Sequence, residues 1–142
     1  MAQLQKSDLL NFIRKQSMAV ISTVNEAGRP ESALVEFVAL DDLTLLFDTF
    51  SNKRKYRNVS RDPHVSFVIG WNSDNRTLQY EGVATETYGD DLDLCKQLYY
   101  QALPDAKSFE SHGDLRFFRV KPRWIRYSDF SVDPWRISEI TL

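Results

Sequence analysis

The sequence predicts a mainly β domain with flanking helices, an α+β fold in which six or seven antiparallel strands form a small barrel or strongly curved sheet. Three observations predict it. The chain has 142 residues, which suits a single domain, residues 1–142, around one core. Most of its apolar runs are short, rich in β-branched and aromatic residues, and bounded by turn residues. Only two or three segments show the spacing of amphipathic helices.

The N-terminal third is predicted as one helix followed by three strands. Ser7 is a candidate N-cap for a short helix that buries Leu9, Leu10 and Ile13. The strand-like runs that follow are Met18–Val24, Glu31–Leu40 and Thr44–Thr49. Because only short turn segments separate them, we expect a three-stranded meander.

A basic helix and a hairpin follow the meander. The helix is predicted over residues 52–60 and ends at Asp62-Pro63, because proline disfavours helical geometry in the residue before it. The hairpin strands are His64–Trp71 and Thr77–Thr87, joined by a turn at residues 72–75. Alternation along the second strand places four residues on its apolar face, namely Leu78, Tyr80, Gly82 and Ala84.

The last third is predicted as a helix and two further strands. Asp90, Asp91 and Asp93 suit the positive N-terminal end of a helix. The apolar residues of that helix are Leu92, Leu94, Cys95, Leu98 and Tyr99. In the next strand Phe118, Val120 and Trp124 alternate with basic residues, and a segment with Trp135, Ile137 and Ile140 closes the chain.

The stretch SNKRKYRNVSRDPHV, which begins at Ser51, concentrates positive charge in a chain whose formal net charge is −2. Lys53, Arg54 and Lys55 fall in the first turn of the predicted helix, where each cation costs about 0.3–1 kcal/mol against the helix dipole. A phosphate would offset this cost by accepting hydrogen bonds from first-turn N–H groups and basic side chains, with the hydroxyls of Thr49 and Ser51 nearby. No glycine-rich nucleotide motif is present, so a monophosphate is the expected ligand. The alternative is a solvent-exposed basic face of the helix.

The same region resembles the pyridoxamine 5'-phosphate oxidase-like family of FMN-binding split β-barrels. The resemblance rests on a strand that ends TLLFDT, on SNKRKYRNVSRDPHVSFVIGW after it, and on Gly82 eleven residues after Trp71. Its most specific element is Lys55, eight positions before the proline of Asp62-Pro63-His64-Val65. It runs from about residue 18 to residue 87 and resumes weakly near Phe118 and near Trp135. It implies a split barrel.

The resemblance also implies a set of cofactor-binding residues. Arg54 and Lys55 would bind the FMN phosphate, assisted by Thr49 and by the loop Ser51, Asn52 and Lys53. Leu34, Val35 and Glu36 would run along the flavin ring, with Asp48 and Thr49 near its other edge. Trp71 would approach from a partner subunit, and Thr77 occupies the position of a glutamine that touches the flavin.

The chain also departs from the family members that oxidise the vitamin B6 phosphate. Ala33 stands where they have an arginine on the second strand, and Ser128 where they have an aromatic residue against the flavin. Thr77 itself replaces their glutamine. They carry a longer C-terminal part that binds the substrate phosphate, for which residues up to Leu142 offer no counterpart. The resemblance therefore implies flavin binding rather than vitamin B6 oxidation.

The expected function is an FMN-dependent oxidoreductase that binds FMN at a homodimer interface and acts on a small-molecule substrate of unknown identity. A nicotinamide nucleotide is a candidate electron donor. One alternative is a flavin-binding or flavin-sensing module without turnover. Another is the same barrel without flavin, as a structural or heme-type binding protein.

A nucleic-acid-binding small barrel is a further alternative, suggested by a basic run interleaved with aromatic residues. Its members are Arg116, Arg119, Lys121, Arg123 and Arg126, with Phe117, Phe118, Trp124 and Tyr127 between them. Because the sequence pI is near 5.7, a dedicated nucleic-acid partner is not expected.

Other classes find little support in the sequence. Two histidines, His64 and His112, and one cysteine, Cys95, predict no metal site, no disulfide and no assignable nucleophile with its base. Glu36 lies inside an apolar strand and needs either a partner or solvent. No run approaches the roughly 18 apolar residues of a membrane span, and no signal peptide is apparent. We expect a soluble, cytoplasmic protein with no membrane partner.

Overall fold

The structure is a computed structural model that describes residues 4–71 and 74–142, in which eight strands form one antiparallel sheet. None of the described helices is both long and apolar enough to cross a membrane. In chain order the elements are α1 (Lys6–Arg14), β1 (Met18–Val24), β2 (Pro30–Glu36), β3 (Val38–Ala39), β4 (Leu45–Phe50), α2 (Arg54–Arg61), β5 (His64–Gly70), β6 (Arg76–Glu86), α3 (Gly89–Ala102), a 3₁₀ helix (Pro104–His112), β7 (Leu115–Asp129) and β8 (Arg136–Thr141).

The sheet curls into the predicted split barrel because one chain segment supplies both of its ends. The strand order is β2-β1-β5-β6-β7-β4-β3, with β8 paired to β7. β2 and β3 lie at opposite ends of this order, yet only buried Phe37 separates them along the chain. The predicted strand over residues 31–40 is therefore two strands, which raises the expected six or seven strands to eight. This kink brings β2 into contact with β4 across the split.

The structure corrects the start of the first helix. α1 begins at Lys6 with Gln5 at the N-cap position, so Ser7 lies inside the first turn. The Asp8 carboxylate accepts a hydrogen bond from the Gln5 backbone N–H at 3.1 Å, which satisfies that end of the helix without the serine. The buried face carries the predicted leucines and Ile13, together with Phe12.

Stacked aromatic rings fill the barrel. The rings of Phe47 and Phe118 are parallel at 5.1 Å, and Phe67 packs edge-on against Phe47 and Tyr80. The buried Tyr80 hydroxyl donates to backbone carbonyls, 2.8 Å from the oxygen of Leu43. All four residues predicted for the apolar face of β6 are buried. The alternation of that strand was therefore a reliable guide to the core.

A second, smaller core lies between α3, the 3₁₀ helix and the outer side of the sheet. Cys95 and Tyr99 are the buried residues of α3, as their spacing predicted, whereas Leu94 is 48% exposed and belongs to the solvent face. Tyr99 packs edge-on against Phe117 of β7, and Ala106 of the 3₁₀ helix completes the cluster. The apolar spacing of residues 104–112 predicts no helix, so this 3₁₀ segment is an addition to the expected elements.

A β-bulge corrects the predicted faces of β7. Glu81 pairs with Trp124 and Gly82 with Pro122, so Arg123 is the extra residue. The extra residue shifts the alternation, and Ile125 rather than Trp124 points into the barrel. The indole of Trp124 instead lies 5.4 Å from the guanidinium of Arg126.

Gly82 is predicted to be essential at this bulge. A Cβ atom there would lie 2.6 Å from the Lys121 carbonyl oxygen and 2.8 Å from a methyl group of Val120. We expect Gly82→Ala to lower the free energy of unfolding by about 1–3 kcal/mol, measured by urea denaturation, because backbone must move. Gly113→Ala is the control, since its Cβ would meet only the ring of Phe50, at 3.0 Å. Equal losses in the two variants would contradict the assignment.

Candidate functional site

The N-terminus of α2 is the centre of the candidate site. The helix begins at Arg54, two residues later than predicted, so Lys53 occupies the N-cap position rather than the first turn. Lys53 has an extended backbone, its side chain makes no capping hydrogen bond, and the first turn contains no acidic residue. The helix therefore presents its unpaired first N–H groups beside the side chains of Lys53, Arg54 and Lys55.

Backbone and side-chain bonds fix the loop that leads into α2. The Ser51 N–H donates to the Asp114 carbonyl at 2.9 Å, and the Lys53 N–H donates to the Phe50 carbonyl at 3.1 Å. Arg116 holds the Asp114 carboxylate through two bonds, of 3.0 and 2.8 Å. The backbone bonds of Ser51 and Lys53 hold residues 51–53 in a turn, so the helix starts after them.

The same arginine ties the loop to the body of α2. Arg116 donates to Glu86 at 2.9 Å, and the Tyr56 hydroxyl donates to the other oxygen of that carboxylate at 2.8 Å. Through these two bonds, the partly buried Glu86 carboxylate of β6 connects Arg116 of β7 with Tyr56 of α2. The position of the α2 N-terminus is thus fixed both by the loop that precedes it and by Tyr56 within the helix.

A cavity of about 290 Å³ opens between β2, β4 and the 3₁₀ helix, next to the α2 N-terminus. Its walls are mainly apolar, and its polar groups are two carboxylates, two ammonium groups and two hydroxyls. The lining residues are Met18, Leu34, Val35, Glu36, Asp48, Thr49, Phe50, Lys53, Lys55, Tyr99, Ala106, Phe109 and Leu115.

Asp48 is the most perturbed acid in this cavity. Burial raises its pKa to about 6, and the nearby negative charge of Glu36 acts in the same direction. The Tyr99 hydroxyl, 3.4 Å away, and the positive charge of Lys55 oppose the change. A carboxyl group with this pKa can hold or release a proton near neutral pH.

Lys55 is perturbed in the opposite sense. Burial lowers its pKa, the charge of Lys53 lowers it further, and the charge of Asp48 partly opposes both. In the described ranges 4–71 and 74–142, neither Lys53 nor Lys55 forms an ion pair. Both lysines therefore line the cavity wall without a direct ion pair, and the Asp48 carboxylate acts on Lys55 through its charge alone.

Arg54 differs from the two lysines because it already has a partner. It donates to Glu31 at 3.1 Å, and that carboxylate also accepts from Asn58 at 2.8 Å and from Asn25 at 3.3 Å. The bond from Asn58 is the main reason that the pKa of Glu31 lies below its usual range. Arg54 lines a smaller adjoining cavity of about 180 Å³ together with Lys53 and Lys55.

The structure brings together seven of the residues predicted from the sequence. Leu34, Val35, Glu36, Asp48, Thr49, Lys53 and Lys55 all line the central cavity. Ser51 and Asn52 form the loop beneath it. Trp71 and Thr77 do not line it: the Trp71 ring lies 6.0 Å from Phe130, and Thr77 pairs with Gly70. Because Trp71 was predicted to act from a partner subunit, its role stays a prediction.

Sequence reasoning missed the aromatic side of the cavity. Tyr99 was predicted only as a core residue of α3, and Phe109 lies in the 3₁₀ helix that was not predicted. The spacing of the 3₁₀ residues gives no clear apolar stripe, so no sequence signal pointed to Phe109.

The basic run of β7 is largely neutralised. Arg116 pairs with Glu86 and Asp114, Arg119 with Asp91, and Arg126 with Glu139. Paired arginines are poorly available to phosphates, which weakens the nucleic-acid alternative. No group of histidine, cysteine and acidic residues in the described ranges could hold a metal ion.

A model of the pyridoxamine 5'-phosphate oxidase family matches residues 6–129. Pyridoxine/pyridoxamine 5'-phosphate oxidase from Bacteroides thetaiotaomicron is 26% identical over 132 residues, covering 87% of this chain and 62% of the relative. The protein of the same description from Streptomyces avermitilis is 28% identical over 90 residues, covering 63% of this chain and 40% of the relative. The chain thus spans at most about 62% of the length of these two relatives.

Solved structures share the fold at low sequence identity. A heme binding protein from Mycobacterium smegmatis superposes with a TM-score of 0.80 at 18% identity, over 99% of this chain and 60% of that one. A pyridoxamine 5'-phosphate oxidase-related, FMN binding protein from Nostoc punctiforme gives 0.75 at 14% identity, over 100% and 99%. These similarities confirm the split-barrel architecture.

The raised pKa of Asp48 predicts a pH-dependent stability difference. A carboxyl whose pKa rises from 3.8 to about 6 on folding binds its proton more tightly in the folded state, so the protein loses stability as pH increases between these values. Asp48→Asn removes this loss. We expect the variant to gain on the order of 1–2 kcal/mol over wild type between pH 4 and pH 8, allowing for partial hydration.

Urea denaturation at both pH values measures the Asp48→Asn difference. Asp93→Asn on the exposed side of α3 controls for the simple loss of a carboxylate. A pH-independent difference between Asp48→Asn and wild type would show that Asp48 is ordinarily hydrated.

Proposed function

The chain belongs to the pyridoxamine 5'-phosphate oxidase family, and from this premise we propose that it is an FMN-dependent oxidoreductase that binds its cofactor at a homodimer interface. The observation that carries the proposal is the uncapped α2 N-terminus with the unpaired ammonium groups of Lys53 and Lys55. The substrate is a small molecule, and a nicotinamide nucleotide is the proposed electron donor.

The α2 N-terminus fits the phosphate end of FMN. Free N–H groups at a helix start favour an anion, and a dianionic phosphate would give both lysines the partner that the protein does not supply. Thr49 lines the cavity next to this N-terminus, and residues 51–53 lead directly into the helix. Arg54 is already paired with Glu31, whereas Lys55 forms no ion pair among the described residues, so Lys55 is the proposed principal ligand.

The central cavity fits the ring end. Leu34 and Phe109 offer apolar surface, while Glu36 and Asp48 offer acceptors for the ring's N–H edge. When bound, FMN supplies two-electron transfer at its ring. The chain's own residues orient the cofactor and exclude water, and Asp48 can hold a proton beside it because its pKa is about 6.

An exposed apolar row supports the dimer. Val20 pairs with Leu34 on one side and Val68 on the other, so the three side chains are neighbours across β2, β1 and β5. They are 38%, 64% and 49% exposed, respectively. Because Leu34 also lines the cavity, the row continues from the cavity edge across the sheet. A second copy seated here would cover both the row and the open side of the cavity.

The first test measures flavin binding by absorbance and fluorescence titration. We expect wild-type protein to bind FMN with the visible spectrum of a flavin rather than of a heme. Lys55→Ala should weaken FMN at least tenfold, because a charged hydrogen bond contributes about 1.5–3 kcal/mol. Arg54→Ala should weaken it less, and the double variant most. Arg123→Ala removes an exposed arginine elsewhere and should change nothing.

Riboflavin separates the phosphate assignment from the ring assignment. Since riboflavin lacks the phosphate, its affinity should be the same in wild type and in Lys55→Ala. An equal loss for FMN and riboflavin would mean that Lys55 contacts the ring or holds the fold. Oxidation of a reduced nicotinamide nucleotide by the FMN-loaded protein and an added acceptor distinguishes an enzyme from a binding module.

The second test addresses the dimer by sedimentation equilibrium. Val68→Glu places a charge in the apolar row without touching the cavity, and we expect the dimer dissociation constant to rise at least tenfold. Leu94→Glu on α3 is the matched control because Leu94 is exposed to a similar extent, 48%. Dissociation by both variants, or by neither, would argue against this interface.

A further inference from the structure

A groove on the far side of α2 is not used by the proposed FMN site. It has a volume of about 440 Å³ and lies between α2 and the turn that joins β1 to β2. Three arginines line one wall, and the turn forms the other. The lining residues are Asn25, Glu26, Ala27, Glu31, Arg54, Arg57, Asn58 and Arg61.

Helical geometry places the arginines on one stripe. Arg54, Arg57, Asn58 and Arg61 follow the spacing i, i+3, i+4 and i+7, which is one face of an α-helix. With a rise of about 1.5 Å per residue, the stripe extends roughly 10 Å from the first arginine to the last. Asn58 anchors this face by donating to Thr23 at 3.0 Å and to Glu31 at 2.8 Å.

Two of these arginines lack a carboxylate partner. Within residues 4–71 and 74–142, Arg57 and Arg61 form no ion pair, and they donate hydrogen bonds to the backbone carbonyls of Asn52 and Val24. Each guanidinium has five N–H donors, so most donors of both side chains are uncommitted. Of the two acids in the groove, Glu31 is already bonded to Arg54 and Asn58, which leaves an excess of positive charge.

The groove lies next to the proposed cofactor site. The small cavity of about 180 Å³ shares Lys53 and Lys55 with the central cavity, and it shares Glu31 and Arg54 with the groove. The three spaces therefore lie side by side along the α2 N-terminus, with the Arg54–Glu31 ion pair between the small cavity and the groove. A single phosphate at that N-terminus would leave Arg57 and Arg61, one and two turns further along the helix, without an anion.

Resting on the FMN site proposed above, we propose that this groove is a second anion subsite that binds a nucleoside phosphate. Arg57 and Arg61 bind its phosphate groups, and the β1–β2 turn contacts the nucleoside. Two kinds of ligand could place a nucleoside phosphate in this groove while the FMN phosphate site is occupied. One is FAD as the cofactor in place of FMN; the other is the adenosine phosphate half of a nicotinamide dinucleotide that donates electrons.

Calorimetric titration of ADP into the FMN-saturated protein tests the subsite directly. We expect ADP to bind wild type and to bind Arg57→Ala/Arg61→Ala at least tenfold more weakly, with FMN affinity unchanged within twofold. Arg123→Ala is again the control arginine. Failure of FMN-saturated wild type to bind ADP, or an ADP affinity that the double variant leaves within twofold, overturns the subsite and leaves an ordinary solvated arginine face.

Two further measurements distinguish the source of the nucleoside phosphate. If the groove belongs to the cofactor, the double variant weakens FAD at least tenfold and leaves the KM for the nicotinamide donor unchanged. If it belongs to the donor, the KM rises at least tenfold and the affinities for FAD and FMN keep their ratio. A wild-type protein that binds no FMN would refute the proposed function, and ADP titration into the free protein would still decide the groove.

Discussion

The organisation of this protein depends on positive charge held at a helix start where, among the described residues, one of three consecutive basic side chains has an ion-pair partner. A helix N-terminus favours anions, yet the α2 start carries Lys53, Arg54 and Lys55 and no acidic residue in its first turn. Arg54 is neutralised by Glu31, but the two lysines are not. The Arg116 network holds the loop next to the helix, so the helix start itself is fixed. An accumulation of like charge at a fixed helix start is expected where an anionic ligand binds.

Barrel closure explains why the cavity lies beside these lysines. The chain kinks at Phe37, so that β2 stays with β1 while β3 pairs with β4 at the other end of the sheet. Glu36 on β2 and Asp48 on β4 then face one space across the split, although twelve positions separate them in the sequence. A straight second strand would have carried Leu34 and Glu36 away from Asp48. The cavity is therefore a consequence of topology and not of any local motif.

The difference between local motifs and topology also decides which features the sequence could predict. Strands such as β6 were predictable because each residue's burial follows from alternation along a single strand. The basic cluster at the start of α2 was predictable because Lys53, Arg54 and Lys55 are consecutive in the sequence. The kink at Phe37, the bulge that turns Trp124 outward and the 3₁₀ helix that supplies Phe109 were not, since each depends on contacts between segments distant in the chain. The partner of Arg54 was missed for the same reason, because Arg54 lies on α2 whereas Glu31 lies on β2, far away in the sequence.

Asp48 and Lys55 influence each other's pKa, and a ligand in the cavity would change both values. Burial disfavours the charged forms of both Asp48 and Lys55, and their mutual attraction only partly offsets it. An anion near Lys55 would raise its pKa, because a nearby opposite charge favours the charged form of an ammonium group. A ring that displaces water from Asp48 would favour its protonated form still further. Occupation of the two ends of the cavity would thus raise the pKa of both groups, so that the charged form of Lys55 and the protonated form of Asp48 are both favoured.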